Sequence, residues 1–319
     1  LARWRELARG IAGEGEDAAP DANDQIIVLQ TILGSWPLEL LSPPHAEGLA
    51  EGEPRSRQDG ASFEDPLRGA PRDEDGSVLK AFETRLHGYV EKALREAKRH
   101  SSWVNVDEEY EAATKALVSA VVQPGSAFND AVRPFARKLA EAGIANGIAR
   151  TVLKATLPGV PDIYQGTEFW DLSLVDPDNR RPVDYAERAA ALSIDAPASS
   201  FATDPADGRV KQAVLATLLA DRAAAPLLYA AGDYRPLKAT GAEAERLVGY
   251  ARRHGAEELV TAALRFPAGG LVADSATIAV PPGEWRDILS GRIHASGAAG
   301  LTARELFESL PVAALRRTV

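Results

Sequence analysis

The stretch between Asp162 and Tyr185 holds the densest group of side chains that could do chemistry. It combines carboxylates, guanidinium groups and aromatic rings. Carboxylates accept hydrogen bonds, arginine holds carboxylates through forked hydrogen bonds, and aromatic rings offer flat apolar surfaces. This combination suits a neutral polyhydroxylated ligand such as a sugar. The residues are Asp162, Tyr164, Glu168, Phe169, Trp170, Asp171, Asp176, Asp178, Arg180, Arg181, Asp184 and Tyr185.

An ordinary surface loop would have a similar composition. Asp and Arg are abundant in exposed loops, and the run Asp176-Pro-Asp-Asn179 is common turn chemistry. Composition alone therefore leaves two interpretations open, a ligand-binding loop and a solvated connection.

A second candidate group, Ser101, Trp103 and Asn105, follows a strongly amphipathic helical pattern. These residues either reach a ligand or form a helix terminus with a buried Trp. We interpret His100 as a helix C-terminal residue favoured by the helix dipole rather than as a base. No group of His, Asp and Glu has zinc-site spacing, and no calcium-loop or nucleotide-binding motif occurs. The sequence therefore predicts no metal and no cofactor.

The elements that would position the polar stretch are a helix and a strand. Residues 126–157 predict a helix that Pro134 should break or kink. Residues 160–164 form a short apolar run between Gly and Pro residues, which predicts a strand. A strand directly after a helix indicates an α/β unit. In a parallel α/β barrel the carboxyl ends of the strands carry the active site, which is where the polar stretch would lie.

Further patterns organise the rest of the chain. Apolar spacing predicts helices, and short runs separated by Gly and Pro after residue 226 predict a small all-β domain. Residues 41–76 contain five Pro and five Gly and predict a disordered loop, with a functional loop as the alternative. The helices are expected over residues 1–10, 23–33, 77–100, 107–122 (capped by Asp107), from 185, and over 207–225. The strands are expected over residues 227–237, 246–252, 258–265, 276–280, 285–288 and 312–315.

Length and charge narrow the function classes. A chain of 319 residues suggests about two domains. Acidic residues outnumber basic ones by 46 to 36, which argues against a nucleic-acid partner. No apolar run is long enough for a bilayer, so no membrane partner is expected, and the absence of cysteine fits a cytoplasmic location. The chain has no Met and begins with Leu1, so we expect a fragment or a processed chain.

The run Pro158-Gly-Val-Pro-Asp-Ile-Tyr-Gln-Gly-Thr-Glu168 resembles the last-strand motif of the α-amylase superfamily of (β/α)₈-barrel glycoside hydrolases and transglycosylases. Its continuation to Tyr185 is similar to the maltooligosyltrehalose synthase family. Three other stretches agree in order along the chain: Asn23-Asp24 with Gln30-Thr-Ile-Leu-Gly-Ser-Trp-Pro37, Lys92-Ala-Leu-Arg-Glu-Ala-Lys-Arg-His-Ser-Ser-Trp-Val-Asn105, and Gly232-Asp-Tyr-Arg-Pro-Leu237.

The resemblance implies a fold of class α/β plus all-β. It would be the C-terminal part of a (β/α)₈ TIM barrel with a helical insertion, followed by a small antiparallel β-sandwich. Residues 1–157 would be the helical insertion and a barrel helix, residues 158–226 the last β/α unit, and residues 227–319 the β-sandwich. Family members are about twice as long, so the chain would be their C-terminal half.

The resemblance also implies a reaction. The family converts the terminal α-1,4 bond of a maltooligosaccharide to an α,α-1,1 bond, in trehalose biosynthesis. The family's catalytic carboxylates lie upstream of the matched region, one of them in a His-Asp-Thr-Lys-Arg stretch. None of the five histidines here is followed by Asp. No catalytic residue is therefore assigned, and the chain alone should be inactive without the missing N-terminal half.

The residues expected to wall the pocket around a maltooligosaccharide lie in one loop. Two alternatives remain, a related α-amylase-superfamily glucan hydrolase and a non-catalytic carbohydrate-binding fragment. The candidate substrate-binding residues are Gln165, Glu168, Trp170, Asp171, Asp178, Asn179, Arg180 and Arg181.

Overall fold

A computed structural model describes residues 2–13, 15, 18–40, 73–202, 207–270 and 276–318. Packing divides the chain into two compact units. Unit 1 comprises Leu1–Arg137 and Leu172–Arg180, and unit 2 comprises Lys138–Asp171 and Arg181–Val319. Among the described helices, none combines the length and the apolar character that a membrane span requires.

Unit 1 is helical. Its helices pack around a cluster that includes Ile32, Phe82 and Leu117, all fully buried. Asp21 and Asp107 cap two of the helices, each by accepting a hydrogen bond from the backbone N–H three residues later. The elements are α1 (Ala2–Ala12), α2 (Ala22–Gly34), α3 (Asp73–Ala97), α4 (Glu108–Val122) and the first part of α5 (Ala127–Thr156).

Unit 2 combines helices with two sheets. The helices are the remainder of α5, α6 (Tyr185–Leu192), α7 (Arg209–Ala224), α8 (Pro226–Ala230) and the short α9 (Ala303–Leu306). The strands are β1 (Asp233–Pro236), β2 (Ala239–Gly241), β3 (Leu247–His254), β4 (Glu257–Leu264), β5 (Ala276–Ile278), β6 (Gly283–Asp287), β7 (Ile293–Ser296), β8 (Leu301–Thr302) and β9 (Val312–Arg317).

The strands form a six-stranded sheet of order β1-β3-β4-β9-β6-β7 and a three-stranded sheet of order β2-β5-β8. Every neighbouring pair is antiparallel. Strand β4 is buried on both faces. Leu259 and Ala263 face a core shared with α5, α7 and α8, whereas Val260 and Ala262 face a core shared with the second sheet. Burial on both faces explains the nearly continuous apolar run of β4.

Three sequence predictions differ from the structure. Residues 160–164 form no strand, because within the described residues no other strand lies beside them, and Val160 is 93% exposed. Residues 227–230 are helical, since Pro226 occupies the first turn of α8 and favours a helix start. Helix α5 continues through Pro134. Val132 and Ala136, on either side of the proline, are buried in the core of unit 1.

The loop predicted over residues 41–76 is described only at its end. Residues 41–72 lie outside the described residues, and residues 73–76 belong to α3. The packing units do not coincide with the division at residues 157 and 226 that the resemblance implies, because α5 contributes to both units. The division at residues 157 and 226 refers to the parts of the family's barrel and β-sandwich, and it stays a prediction.

Candidate functional site

The predicted substrate-binding residues belong to two different units. Gln165, Glu168, Trp170, Asp171 and Arg181 lie in unit 2, whereas Asp178, Asn179 and Arg180 lie in unit 1.

In unit 2, Trp170 is fixed by packing. A Cβ atom added to Gly147 of α5 would stand 2.8 Å from Cζ3 of its indole ring, so helix and ring are in close contact. The ammonium of Lys211, on α7, lies 5.6 Å from the ring centroid. The indole N–H is buried and has no hydrogen-bond partner within the described chain. Trp170 is therefore a partly buried residue whose ring packs against α5.

Lys211 ties this loop to α7. Its Nζ donates to the carbonyl of Phe169 at 3.0 Å. Burial lowers the pKa of Lys211 below its ordinary value, and the nearby cation Lys154 acts in the same direction, whereas Asp171 opposes it. This partly buried ammonium binds the Phe169 carbonyl and so fastens the acidic loop to α7.

Arg188, in the first turn of α6, organises the other side of the same loop. It donates to Glu168 Oε2 at 3.2 Å and to the carbonyls of Gly166 and Asp184 at 2.8 and 2.9 Å. Its guanidinium also lies over the ring of Phe169, 4.7 Å from the centroid. Glu168 is thus oriented by an arginine, but the arginine is Arg188 rather than one of the two within the loop.

The remaining unit 2 candidates are exposed. The hydroxyl of Tyr185 donates to Oε1 of Gln165 at 3.2 Å, and both side chains are open to solvent. Asp171 and Arg181 are also exposed. These side chains have room to approach a ligand.

In unit 1, Asp178 is held by Arg85 of α3. The guanidinium donates to both carboxylate oxygens, at 2.9 Å from Nε to Oδ1 and at 2.8 Å from Nη2 to Oδ2. The backbone N–H of Leu174 adds a bond of 2.7 Å to Oδ2. The carboxylate is 8% exposed. Both carboxylate oxygens are engaged in hydrogen bonds, so Asp178 holds the loop in shape.

Asp176, Arg180 and Lys92 form an ion-pair group in the same unit. Arg180 pairs with the Asp176 carboxylate, and Lys92 donates to the Asp176 carbonyl at 2.7 Å. The bond from Arg180 lowers the pKa of Asp176, with a smaller effect from Lys92. Arg180 therefore orients a carboxylate, as the sequence suggests, while Asn179 is exposed beside it.

The loop after α3 also departs from prediction. Trp103 is 56% exposed, so its interpretation as a buried helix-terminal residue is wrong. His100 lies beyond Ala97, the last residue of α3, and stacks on Tyr110 with ring centroids 4.2 Å apart. Its Nε2 is 3.0 Å from Oδ2 of Asp21, so it interacts with a carboxylate rather than with the end of α3.

Folding brings Asp21, Asp24 and His100 together, with one ligand atom of each within 4.8 Å of the others. Their atoms are engaged with one another and with Tyr110, whose hydroxyl donates to Asp24 at 2.7 Å. Burial would raise the pKa of Asp21, but bonds from the Asp24 N–H and from His100 outweigh it and lower the pKa. The guanidinium of Arg99, 3.4 Å from Asp21, opposes a cation. This is a hydrogen-bonded connection between α2 and the loop before α4.

Sequence reasoning missed the residues that hold the loop in place. They lie on helices, and apart from the bond between Arg188 and the Asp184 carbonyl their loop contacts are 20 to 93 positions away. No local motif marks them. Arg188 is the one residue with a local signal, because it is a basic residue in the first turn of the helix that follows the loop. The missed residues are Arg85, Lys92, Gly147, Arg188 and Lys211.

The comparisons with known proteins agree with the resemblance. No protein-family model matches the chain. Two curated proteins from strains of Mycobacterium tuberculosis, each described as a putative maltooligosyl trehalose synthase, are 37% identical to it over 245 residues. The match covers 76% of this chain and 29% of each relative.

Solved structures extend the match to the whole chain. The maltooligosyltrehalose synthase of Arthrobacter ramosus is 30% identical, with a TM-score of 0.70, over 99% of this chain and 35% of that one. A hypothetical maltooligosyl trehalose synthase of Sulfolobus tokodaii is 26% identical, with a TM-score of 0.66, over 99% of this chain and 34% of that one. The chain thus spans about a third of the length of these relatives, less than the expected half. By sequence and by fold, it belongs to the maltooligosyltrehalose synthase family.

Proposed function

We propose that this chain is the C-terminal portion of an intramolecular transglycosylase that converts the reducing-end α-1,4 bond of maltooligosaccharides to an α,α-1,1 bond. The observation that carries the proposal is the likeness to the Arthrobacter ramosus enzyme over 99% of the chain at a TM-score of 0.70. That likeness includes both the helical unit and the sheets. The location is proposed as cytoplasmic, in keeping with the absence of cysteine.

The proposal gives each part of the chain a place in the parent enzyme. Residues 160–164 would be the last strand of a (β/α)₈ barrel, which pairs only when neighbouring barrel strands are present. The exposure of Val160 and Tyr164 supports this placement, because a barrel strand without neighbours leaves its side chains in solvent. The two sheets of residues 227–319 would form the β-sandwich, and their shared apolar cluster supports that arrangement.

The loop after this strand would wall the pocket that retains glucose between bond cleavage and bond formation. Retaining glycosyl transfer requires two carboxyl groups about 5 Å apart across the scissile bond. We place that pair in the part of the parent enzyme that precedes the third matched by this chain. Within this chain, the exposed Gln165, Asp171, Asn179 and Arg181 are proposed to bond with sugar hydroxyls.

The other candidate residues are proposed to act indirectly. Glu168 and Asp178 are already engaged by arginines, and the ring of Trp170 is packed against α5. They would keep the loop in the shape that excludes water. This division of roles predicts larger losses of affinity from substitutions at exposed loop positions, and larger losses of stability from substitutions at Asp178 and Trp170.

A chimera tests the function. This chain replaces the matching third of the Arthrobacter ramosus enzyme, and the loss of maltoheptaose reducing ends is followed over time. We expect loss with the chimera and none with this chain alone. A chimera carrying Asp171→Asn should have a raised KM, whereas Glu187→Gln, on the exposed surface of α6, is the matched control and should leave KM unchanged.

The products separate the proposal from its alternatives. Disappearance of reducing ends without release of small sugars supports the transglycosylase. Release of free glucose or maltose would show a glucan hydrolase. A chimera that binds maltoheptaose but alters no bond would favour a carbohydrate-binding part. Loss of reducing ends with this chain alone would place the reacting carboxylates within these 319 residues, and the stretch from Asp162 to Asp184 would be examined first.

A further inference from the structure

Of the five tryptophans, which all lie in the described residues, four are covered. Trp36 and Trp285 are 2% and 0% exposed. Trp4 packs edge-on against Phe135 with centroids 5.2 Å apart, and Trp170 is held between α5 and α7. Trp103 differs because 56% of its surface is open to solvent.

The loop that carries Trp103 is firmly built. Arg95 of α3 donates two bonds of 2.8 Å to the two oxygens of Glu111 of α4, which is itself buried. The hydroxyl of Ser101 donates to Glu111 at 2.5 Å and accepts the N–H of Asp107 at 3.1 Å. Ser101 is therefore anchored to a buried carboxylate, and Asp107, at the other end of the loop, is bound to Ser101.

The same ion pair positions the ring. The guanidinium of Arg95 lies over the Trp103 ring at 5.0 Å from its centroid, so one face rests on a cation that Glu111 holds in place. A platform supported in this way loses little conformational entropy when a ligand binds.

Two hydrogen-bonding groups of the same loop, on Trp103 and Asn105, make no hydrogen bond within the described chain. The loop turns through bonds from the Ser102 N–H to the Asn105 carbonyl at 2.9 Å and from the Asn105 N–H to Ser102 Oγ at 3.0 Å. These bonds use backbone groups of Asn105. Its side-chain carboxamide, like the indole N–H of Trp103, has no hydrogen-bond partner within the described chain, and both residues are exposed.

We infer that Trp103 and Asn105 form a binding platform for a glucose unit of an α-1,4-glucan, separate in sequence from the loop of residues 165–181. The apolar C–H face of a pyranose ring would stack on the indole, and its hydroxyls would bond with the indole N–H and the Asn105 carboxamide. The inference rests on the proposed function for the identity of the sugar.

A protein-docking role is less well supported by the surface. The apolar tip consists of Trp103 with Val104 and Val106, which are 98% and 40% exposed. The exposed charged residues Lys98 and Glu108 lie on either side of it in sequence. A stable protein interface buries about 800 Å² on each partner, which three side chains do not supply.

Isothermal titration calorimetry of the full chain with maltoheptaose tests the inference. We expect a dissociation constant of about 1 mM, which corresponds to a binding free energy of about −4 kcal/mol. Trp103→Ala should weaken it by about tenfold, whereas Trp103→Phe retains a flat ring and should stay within about threefold of the parent chain. Val104→Ala is the matched control from the same exposed tip and should bind as the parent chain does. Circular dichroism checks that each variant is folded.

The outcomes are distinct. Binding that Trp103→Ala leaves unchanged overturns the inference, and so does a parent chain that binds no maltoheptaose. Self-association of the parent chain that disappears in Trp103→Ala, without glucan binding, would assign the tip to protein docking instead. None of these results bears on the proposed function, which depends on the products formed by the chimera. Conversely, a chimera that fails to convert maltoheptaose would not change the measured binding of maltoheptaose by this chain.

Discussion

Gly147 lies so close to the indole of Trp170 that a Cβ atom at residue 147 would stand 2.8 Å from Cζ3 and 3.6 Å from Cη2. Helix α5 thus approaches the acidic loop through a residue without a side chain. The contact belongs to a buried cluster that also contains Ile148, Val152 and Val214. The backbone of Gly147 is ordinary helix, which any residue can adopt. Glycine is therefore needed here for the close approach of the Trp170 ring.

Gly147→Ala should therefore destabilise the protein although alanine is the better helix former. The added methyl group must push Trp170 towards Lys211, and overpacking of this kind costs about 1–3 kcal/mol. Gly143→Ala is the matched control on the same helix, because no atom lies within 4 Å of its Cβ position. It should stabilise the protein by about 0.5–1 kcal/mol. Urea unfolding of both variants measures the difference, and equal stabilities would contradict the close contact.

Arg252→Met should be among the most damaging single changes in unit 2. Arg252 is 1% exposed and donates to the carbonyls of Asp233, Thr156, Tyr229 and Gly232 at 2.9–3.2 Å. Methionine would remove all four bonds, two of which reach carbonyls of the buried residues Thr156 and Tyr229, so we expect a loss of about 3 kcal/mol or more. The melting temperature measures it.

Two further variants sharpen that test. Arg252→Lys should not restore stability, because one ammonium cannot reach carbonyls arranged around a planar guanidinium. Arg253→Met changes the exposed neighbour on the same strand and should stay within about 0.5 kcal/mol of the parent chain. A lysine variant as stable as the parent would show that charge alone, rather than the fork of donors, holds this site.

The bond between Arg85 and Asp178 should show strong coupling. The two side chains are 20% and 8% exposed, so solvent screens them weakly. We expect a double-mutant cycle of Arg85→Met and Asp178→Asn to give a coupling free energy of about 1.5–3 kcal/mol. The pair Lys80 and Glu83, with Lys80 77% exposed, is the control and should couple by less than about 1 kcal/mol. Similar values for both pairs would remove the argument that Asp178 shapes the loop.

Local signals accounted for the helices that the sequence predicted well. Asp21 and Asp107 cap α2 and α4 through contacts three residues away, which a sequence displays directly. Two adjacent strands of the large sheet, β3 and β4, were also expected close to their observed bounds. Residues 160–164 failed because a strand is defined by its neighbours, and an apolar run does not reveal whether a neighbour is present.

The candidate site was harder to predict, for the same reason. The sequence located the acidic loop, but the partner of Asp178 is 93 residues away on α3 and that of Phe169 is 42 residues away on α7. Trp170 and Trp103 illustrate the limit. Both occur in polar surroundings in the sequence, yet packing covers the first and exposes the second.

Glu111 makes the stability of unit 1 dependent on pH. Bonds from Arg95 are the main cause that lowers its pKa below 4.5; burial opposes them, and the bond from Ser101 supports them. Because the pKa is lower in the folded state, the unfolded chain binds the proton first as the pH falls. The stabilisation is therefore complete above about pH 5 and is lost as the pH falls through the folded-state pKa.

Glu111→Gln removes this dependence. The variant should lose about 3 kcal/mol at pH 7, because Arg95 is left without its buried partner. Between pH 6 and pH 3, roughly the range over which carboxylates titrate, its stability should fall less steeply than that of the parent chain. Glu109→Gln, an exposed change on the same helix, should reproduce the parent's pH profile. Urea unfolding at each pH measures the three curves, and a Glu111→Gln curve parallel to the parent's would show that Glu111 has the same pKa in both states.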